Sequence, residues 1–199
     1  MYRQGPRIRG RRSTFIALVL AAACALPAAD ARADSIDLTP CDTSVLRQPF
    51  VRWADPAFYE LSPGGDFEQP AWALHGGAQR VAGSEPHAAT GKVGNWSLTL
   101  PPGSSAQSPV ACVDARYPTA RFFVSGTGSV AVSLVYGDVT TPAGITLAGS
   151  AWSPSPVVVT LSPVVAVASG GGAQAAVRFT GVSGSPRVDD VFIDPWNRG

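Results

Sequence analysis

Two short stretches of this 199-residue chain place acids in settings that call for chemistry. In "LSPGGDFEQPAWALHGG", residues 61–77, Asp66 and Glu68 stand between a Gly-Gly pair and a tryptophan-bearing strand candidate. In "RVDDVFIDPW", residues 187–196, Asp189 and Asp190 interrupt an apolar run. Carboxylates among aromatic and β-branched residues either face water or are paired, because an isolated charge is very costly to bury. By strand alternation Asp189, Val191 and Ile193 share one side and Val188, Asp190 and Phe192 the other, so whichever side is buried carries an acid. A hydrogen-bonded aspartate meets that requirement. So does a hard cation, since Ca²⁺ takes about six to eight oxygens from carboxylates and from the carbonyls of irregular loops such as Pro-Gly-Gly-Asp.

Catalytic constellations are sparse. His75 and His87 are the only histidines, the first before Gly76-Gly77 and the second in the turn "EPHAATG". No Gly-x-Ser-x-Gly elbow is present, as "TGVSGSP" and "PGSSAQS" both lack its second glycine. No histidine pair has zinc spacing. Glu60 and Asp138 are the kind of carboxylate pair that a glycosidase or lyase uses, with nothing in the sequence to bring them together. The chain is read as non-catalytic.

The first 33 residues differ in kind from the rest. "MYRQGPRIRGRRST" carries arginines and no acid, and an apolar run over residues 15–29 follows, too short to span a bilayer; "ARA" at 31–33 supplies a cleavage pattern. This predicts a signal peptide over 1–33, cleavage after Ala33, and Sec-dependent secretion. Arg11-Arg12 is the twin-arginine alternative and Cys24 the lipoprotein alternative. Of the 15 Lys and Arg, six leave with this leader, and of the 14 Asp and Glu, one leaves, so residues 34–199 hold 9 against 13, a net −4 with Lys92 as the single lysine. An acidic chain of this kind has no electrostatic footprint for nucleic acid or an anionic membrane. Pro163 interrupts "VVVTLSPVVAVASGGG", and no later segment reads as a membrane span. An exported chain meets an oxidising compartment, where Cys41 and Cys112 are expected to pair; the crosslink would close a loop of about 70 residues and contribute about 4 kcal/mol.

These residues have to be positioned by strands. With 18 prolines and 21 glycines along the chain, no stretch is long enough to wind into a stable helix, while runs rich in Val, Thr and aromatics recur between turn signals. The candidates include "VLRQPFVRW", "WSLTL", "ARFFV", "SVAVSLVYG", "GITLAG", "AAVRFTGV" and "RVDDVFID". In "SVAVSLVYG", Val130, Val132, Leu134 and Tyr136 fall on one face. The prediction is a single all-β domain over 34–199, an antiparallel β-sandwich or jelly roll, with an extension over 34–59 and the core over 60–199.

"GGDFEQPAWALHGGA", "GKVGNWSLTL" and the closing "RVDDVFIDP" together resemble the jelly-roll carbohydrate-binding modules of the galactose-binding-like superfamily. In that family a Phe-Glu segment precedes a tryptophan-bearing strand, and the last strand reads Ile/Val-Asp-Asp/Asn-Val. The resemblance covers residues 61–195. It implies one structural Ca²⁺ held by Glu68 and Asp189, with Asp190 alongside and with carbonyls near Gly65, Asp66 and Lys92. It also implies a polysaccharide or cell-wall glycan as partner, stacked on an exposed aromatic; Trp152 in "GSAWSPSP", Trp96 and Tyr136 are the candidates, and Trp72 is expected inside. The 34–59 extension, with Cys41 and Trp53, lies outside the family pattern and is similar to extensions of secreted bacterial proteins. A monomer is expected. The alternative is a cell-envelope or adhesion protein that contacts a protein or surface polymer through the same sandwich.

Overall fold

Every strand pairing is antiparallel, and two long strands organise all the others. The computed structural model describes residues 45–114, 119–159 and 172–193. Its strands are β1 (Glu60–Leu61), β2 (Ala73–His75), β3 (Gln79–Ala82), β4 (Trp96–Thr99), β5 (Ser105–Gln107), β6 (Ala111–Asp114), β7 (Thr119–Tyr136), β8 (Val139–Leu147), β9 (Ser153–Pro154), β10 (Val158–Val159) and β11 (Gly172–Ile193). The described residues all fall within one compact unit. Among the described residues no helix is long and apolar enough to cross a membrane.

β7 and β11 pair along nearly their whole lengths, and their bend folds one continuous hydrogen-bonded array of 11 strands into two layers, the first and second sheets. One sheet is built from β8, β7, β11, β5 and β2. The other carries β3 and β4 beside the C-terminal half of β11, with β9 and β10 on β7 and β1 on the end of β11. The runs "ARFFV" and "SVAVSLVYG", expected as separate strands, are thus one strand, as are "AAVRFTGV" and "RVDDVFID". Glycine makes the shared bend possible. A Cβ on Gly128 would lie 2.0 Å from the Ser183 carbonyl oxygen, and one on Gly184 2.4 Å from that of Thr127, so the crossing backbones approach closer than any side chain allows.

Between the sheets lies the main core. Trp72 stacks on Phe179 with centroids 5.7 Å apart, Phe122 meets Phe179 edge-on at 4.7 Å, and Phe67 closes on Trp72 at 5.0 Å. Val130, Val132, Leu134 and Tyr136 enter this core from β7, and Val177 and Phe179 from β11.

A second core lies on the outer face of the second sheet. The segment "VLRQPFVRW" is not the expected strand: Arg47 makes one isolated bridge to Tyr59, and Val51–Trp53 is a turn of 3₁₀ helix. Pro49 removes a backbone donor from the run, and Ala54 ends the turn in the left-handed region at φ 58°. The turn drives Phe50 against Tyr59, Phe123 and Phe192, all buried. Arg121 holds this layer down, with Nη1 2.5 Å from Asp55 Oδ2, Nε donating to the Ser155 carbonyl, and the guanidinium 4.6 Å from the Phe50 ring centroid. Burial pushes the Asp55 carboxyl up, but hydrogen bonds from the Ala57 N–H, the Tyr59 hydroxyl and Arg121 outweigh it and hold the group below its ordinary range.

Candidate functional site

Two features outside the main core hold the polar chemistry, a buried acid cluster and an open sheet face. The cluster forms where β11 departs from regular pairing. Its register against β7 shifts between Asp189 and Phe192, and Asp190 takes φ 42°, a left-handed conformation that aspartate tolerates better than branched residues do. The expected alternation therefore fails. Val188, Val191 and Ile193 all enter the main core, Phe192 enters the second core, and Asp189 and Asp190 are both buried, at 0% and 3% exposure.

Each acid has named partners. Asp189 Oδ2 accepts from Ser84 Oγ at 2.6 Å and from the Glu85 N–H at 2.8 Å, and its Oδ1 accepts from the Asp190 N–H at 2.9 Å. Glu85 is fully buried and accepts from the backbone N–H groups of His87 and Ala89. Burial pushes Asp189 up to about 7 against the pull of these hydrogen bonds. Burial also pushes Asp190 up, to about 9, with further pressure from the Asp189 charge, a side-chain hydrogen bond to Glu85 and the charge of Asp66.

Nothing in the sequence singled out Glu85. An acid in "GSEPHAATG" reads as a solvated turn, and only the folding of that loop over the Asp189 face buries it.

The other expected metal-site residues lie around this cluster. Glu68 does not stand free: Oε1 accepts from the N–H groups of Asn95 at 2.6 Å and Trp96 at 3.0 Å, and Oε2 accepts from Asn95 Nδ2 at 3.0 Å. Burial raises the Glu68 carboxyl, but those bonds and the charge of Lys92 outweigh it, and the group titrates below its usual value. The Gly65 carbonyl accepts from the Val191 N–H. Asp66 Oδ1 accepts from the Glu68 N–H at 3.3 Å, and the Lys92 carbonyl accepts from Thr90 Oγ1. Asp66 and Lys92 line a cleft of about 360 Å³ together with Arg47, Glu60 and Thr90. Among the described residues no three His, Cys, Asp or Glu side chains are grouped as a metal ion would need.

The aromatic candidates separate by exposure. Tyr136 is 9% exposed and faces the main core, so its ring is out of reach of an external ligand. Trp152 is half-buried against the second core, with the Arg187 guanidinium 5.5 Å from its ring centroid and its carbonyl contacted by His87 Nε2. Trp96 is the more exposed, and Arg80 sits 4.9 Å over its ring. Glu60 and Asp138 do not come together. Glu60 pairs with Ile193 at the level of Ala120, near the start of β7, whereas Asp138 follows Tyr136 at its far end. Cys112 is disulfide-bonded. Cys24, Cys41 and Trp196 lie outside the described residues.

The open face is the outer side of the first sheet. One rung across it reads Ile145, Ala131, Thr180, Ser105, His75, and a neighbouring one Pro142, Ser133, Arg178, Gln107, Ala73. Alternation puts them outside, because Val130, Val132, Val177, Phe179 and Ala106 take the inner positions. Arg178 donates from Nε at 2.9 Å and from Nη2 at 2.6 Å to Gln107 Oε1. Neither rung contains an acidic residue.

No protein-family model matches the chain, and no curated protein does. Solved structures similar to it are mostly carbohydrate-binding modules. TmCBM61, solved with beta-1,4-galactotriose, is 14% identical at a TM-score of 0.41 over 67% of this chain and 96% of its own. The family 11 carbohydrate-binding module of a Clostridium thermocellum cellulosomal cellulase is 13% identical at 0.42, over 69% of this chain and 95% of its own. The enzymatically active domain of bacteriophage CBA120 tailspike protein 4 is 13% identical at 0.43, over 68% of this chain and 21% of its own. Identities at this level do not carry ligand-contacting residues from one chain to another.

Proposed function

We propose that the chain is a secreted, non-catalytic glycan-binding module that takes its ligand on the outer face of the first sheet. The observation that carries this reading is the face itself. Hydroxyls of Thr180, Ser105 and Ser133, the Gln107 amide and the Arg178 guanidinium project from the strands of one sheet, with small residues between them. Fixed donors and acceptors on rigid elements suit a hydroxyl-rich ligand. The sequence resemblance to jelly-roll carbohydrate-binding modules points the same way. Trp96, and secondarily Trp152, are the rings left for stacking.

The second part of the proposal concerns the acids. What is proposed is the one structural Ca²⁺ that the sequence resemblance implies, on Glu68 and Asp189 with Asp190 and the carbonyls of Gly65, Asp66 and Lys92 alongside, although no three acids among the described residues stand grouped as a metal site. The support is that resemblance and the charges of Asp189, Glu85 and Asp66 acting on buried Asp190, with no basic side chain among the described residues hydrogen-bonded to Asp189 or Asp190. A cation there would tie the last strand to the loops at 62–68 and 83–91, a structural role. We further propose that Cys112 pairs with Cys41 and that the mature protein is monomeric.

The test is a glycan-array and insoluble-polysaccharide binding assay on residues 34–199, oxidised, with calcium and again after chelation. Selective binding supports the module reading, and a chelation effect shows whether the cation matters to the ligand or to the fold alone. Absence of binding in both conditions overturns it. One observation favours an adhesion role instead: Ile145 and Leu147 are 65% and 78% exposed on β8, and exposed Val182 precedes Ser183, which shares the Ser129 rung with Leu147, an apolar margin that fits a protein partner better than a sugar.

A further inference from the structure

The Arg178–Gln107 pair says more about the ligand than that it is a glycan. A guanidinium presents donors in pairs along its edges, and a carboxylate matches one such edge with two parallel hydrogen bonds. Gln107 Oε1 accepts from Nε and Nη2, so the glutamine occupies one edge of Arg178 and fixes the plane of the group. The end-on edge, Nη1 with the second hydrogen of Nη2, has no partner among the described residues. No carboxylate neutralises the arginine either, for the ion pair among those residues joins Arg121 to Asp55. Arg80 and Arg187 also lack a carboxylate, but they spend their guanidinium donors on backbone carbonyls, which Arg178 does not. A simple cross-strand pair would account for the contact with Gln107 but not for the absence of any acid from both rungs. His75, exposed at the end of the next rung, adds no negative charge.

We propose that the outer face of the first sheet binds carboxylated glycans, chains containing uronic acid, and that Arg178 is the residue that selects them, with Gln107 positioning it. The inference rests on the glycan-binding reading of this face. A sugar carboxylate would meet the end-on edge of Arg178, while ring hydroxyls bond to Ser133, Thr180 and Ser105 on either side. Arg178→Lys keeps the charge and loses the paired geometry; Arg178→Gln loses both; Gln107→Leu leaves the guanidinium without its prop.

The experiment measures binding of residues 34–199 to polygalacturonate and alginate, and to uncharged galactan and β-glucan as comparators, for wild type and the three variants at low and moderate salt. Thermal melts establish that each variant is folded, and Arg178→Lys serves as the test if Arg178→Gln does not fold. The expected result is preferential binding to the uronate polymers, weakened by salt, with a loss of about tenfold or more in Arg178→Gln. A smaller loss is expected in Arg178→Lys and in Gln107→Leu, with no change for any neutral polymer. Binding to neutral polymers alone, or uronate binding indifferent to Arg178, overturns this inference and leaves the glycan-binding reading standing. Failure to bind any of the four polymers, followed by failure on the wider glycan array, removes both.

Discussion

Replacing Asp190 by asparagine should make the protein more stable at pH 8, not less. Asp189 titrates near 7 and Asp190 near 9 because burial penalises their charged forms, whereas an unfolded aspartate titrates near 3.8. The unfolded chain therefore loses these protons first as pH rises. Stability from the protonated pair is fully present below about pH 4 and falls with pH through the folded values, at about 1.4 kcal/mol per pH unit for each group still protonated in the fold. For Asp189 alone, about three units of separation put the loss on the order of 4 kcal/mol by pH 7, and Asp190 loses stability over the same range and on toward pH 9. A loss of that size is a large fraction of a domain's net stability. Asparagine keeps the size of the side chain, accepts the left-handed backbone at position 190, and can donate to Glu85 without carrying charge. The assay is urea denaturation of residues 34–199 at pH 5, 6.5 and 8 in chelator, then in millimolar calcium. In chelator the wild type should lose stability from pH 5 to 8, and Asp190→Asn should show a flatter profile. Calcium, which needs the carboxylates ionised, should restore the wild type most at pH 8 and leave the variant nearly unmoved. A flat wild-type profile in chelator, or an Asp190→Asn variant weaker at every pH, would refute the reasoning.

Three further outcomes follow from the packing. Phe50→Ala removes the centre of the second core and should cost about 3–5 kcal/mol by denaturant melt; a cost under about 1 kcal/mol would mean that the extension contributes little. Gly128→Ala would push a methyl group into the Ser183 carbonyl at a positive φ, so the variant should lose more than about 2 kcal/mol or fail to accumulate as soluble protein, and a wild-type melting point would disprove the shared bend. Glu68→Ala removes the acceptor of the Asn95 and Trp96 N–H groups and of Asn95 Nδ2, and should cost about 1–3 kcal/mol with altered Trp96 fluorescence; an unchanged melt would free Glu68 from its structural role.

The sequence by itself determined the class of this protein. Dense prolines and glycines forbid helices, and the period-two runs that remain can only become half-buried strands, so an antiparallel sandwich follows from local chemistry. The inner faces of β7 and β11 were readable for the same reason, because Val130, Val132, Leu134, Val177 and Phe179 obey alternation. Trp72 also entered the core as expected. Alternation failed at Asp189–Asp190, where a register shift and a left-handed residue put consecutive acids into one buried cluster, and a bulge has no signature in spacing. Tertiary structure alone decided that Glu85 is buried: its carboxylate bonds to the nearby His87 and Ala89 N–H groups, but the strand it is buried against, met through its own N–H at Asp189, is 104 positions away. It alone joined pairs of strand candidates across glycine bends, because close backbone approach depends on the strand opposite. It also turned the segment around Phe50 from an expected strand into the lid of a second core. Which side chains share the outer face of the first sheet is a matter of register, and the pairing of Arg178 with Gln107, 71 positions apart, emerges only once β5 and β11 lie side by side.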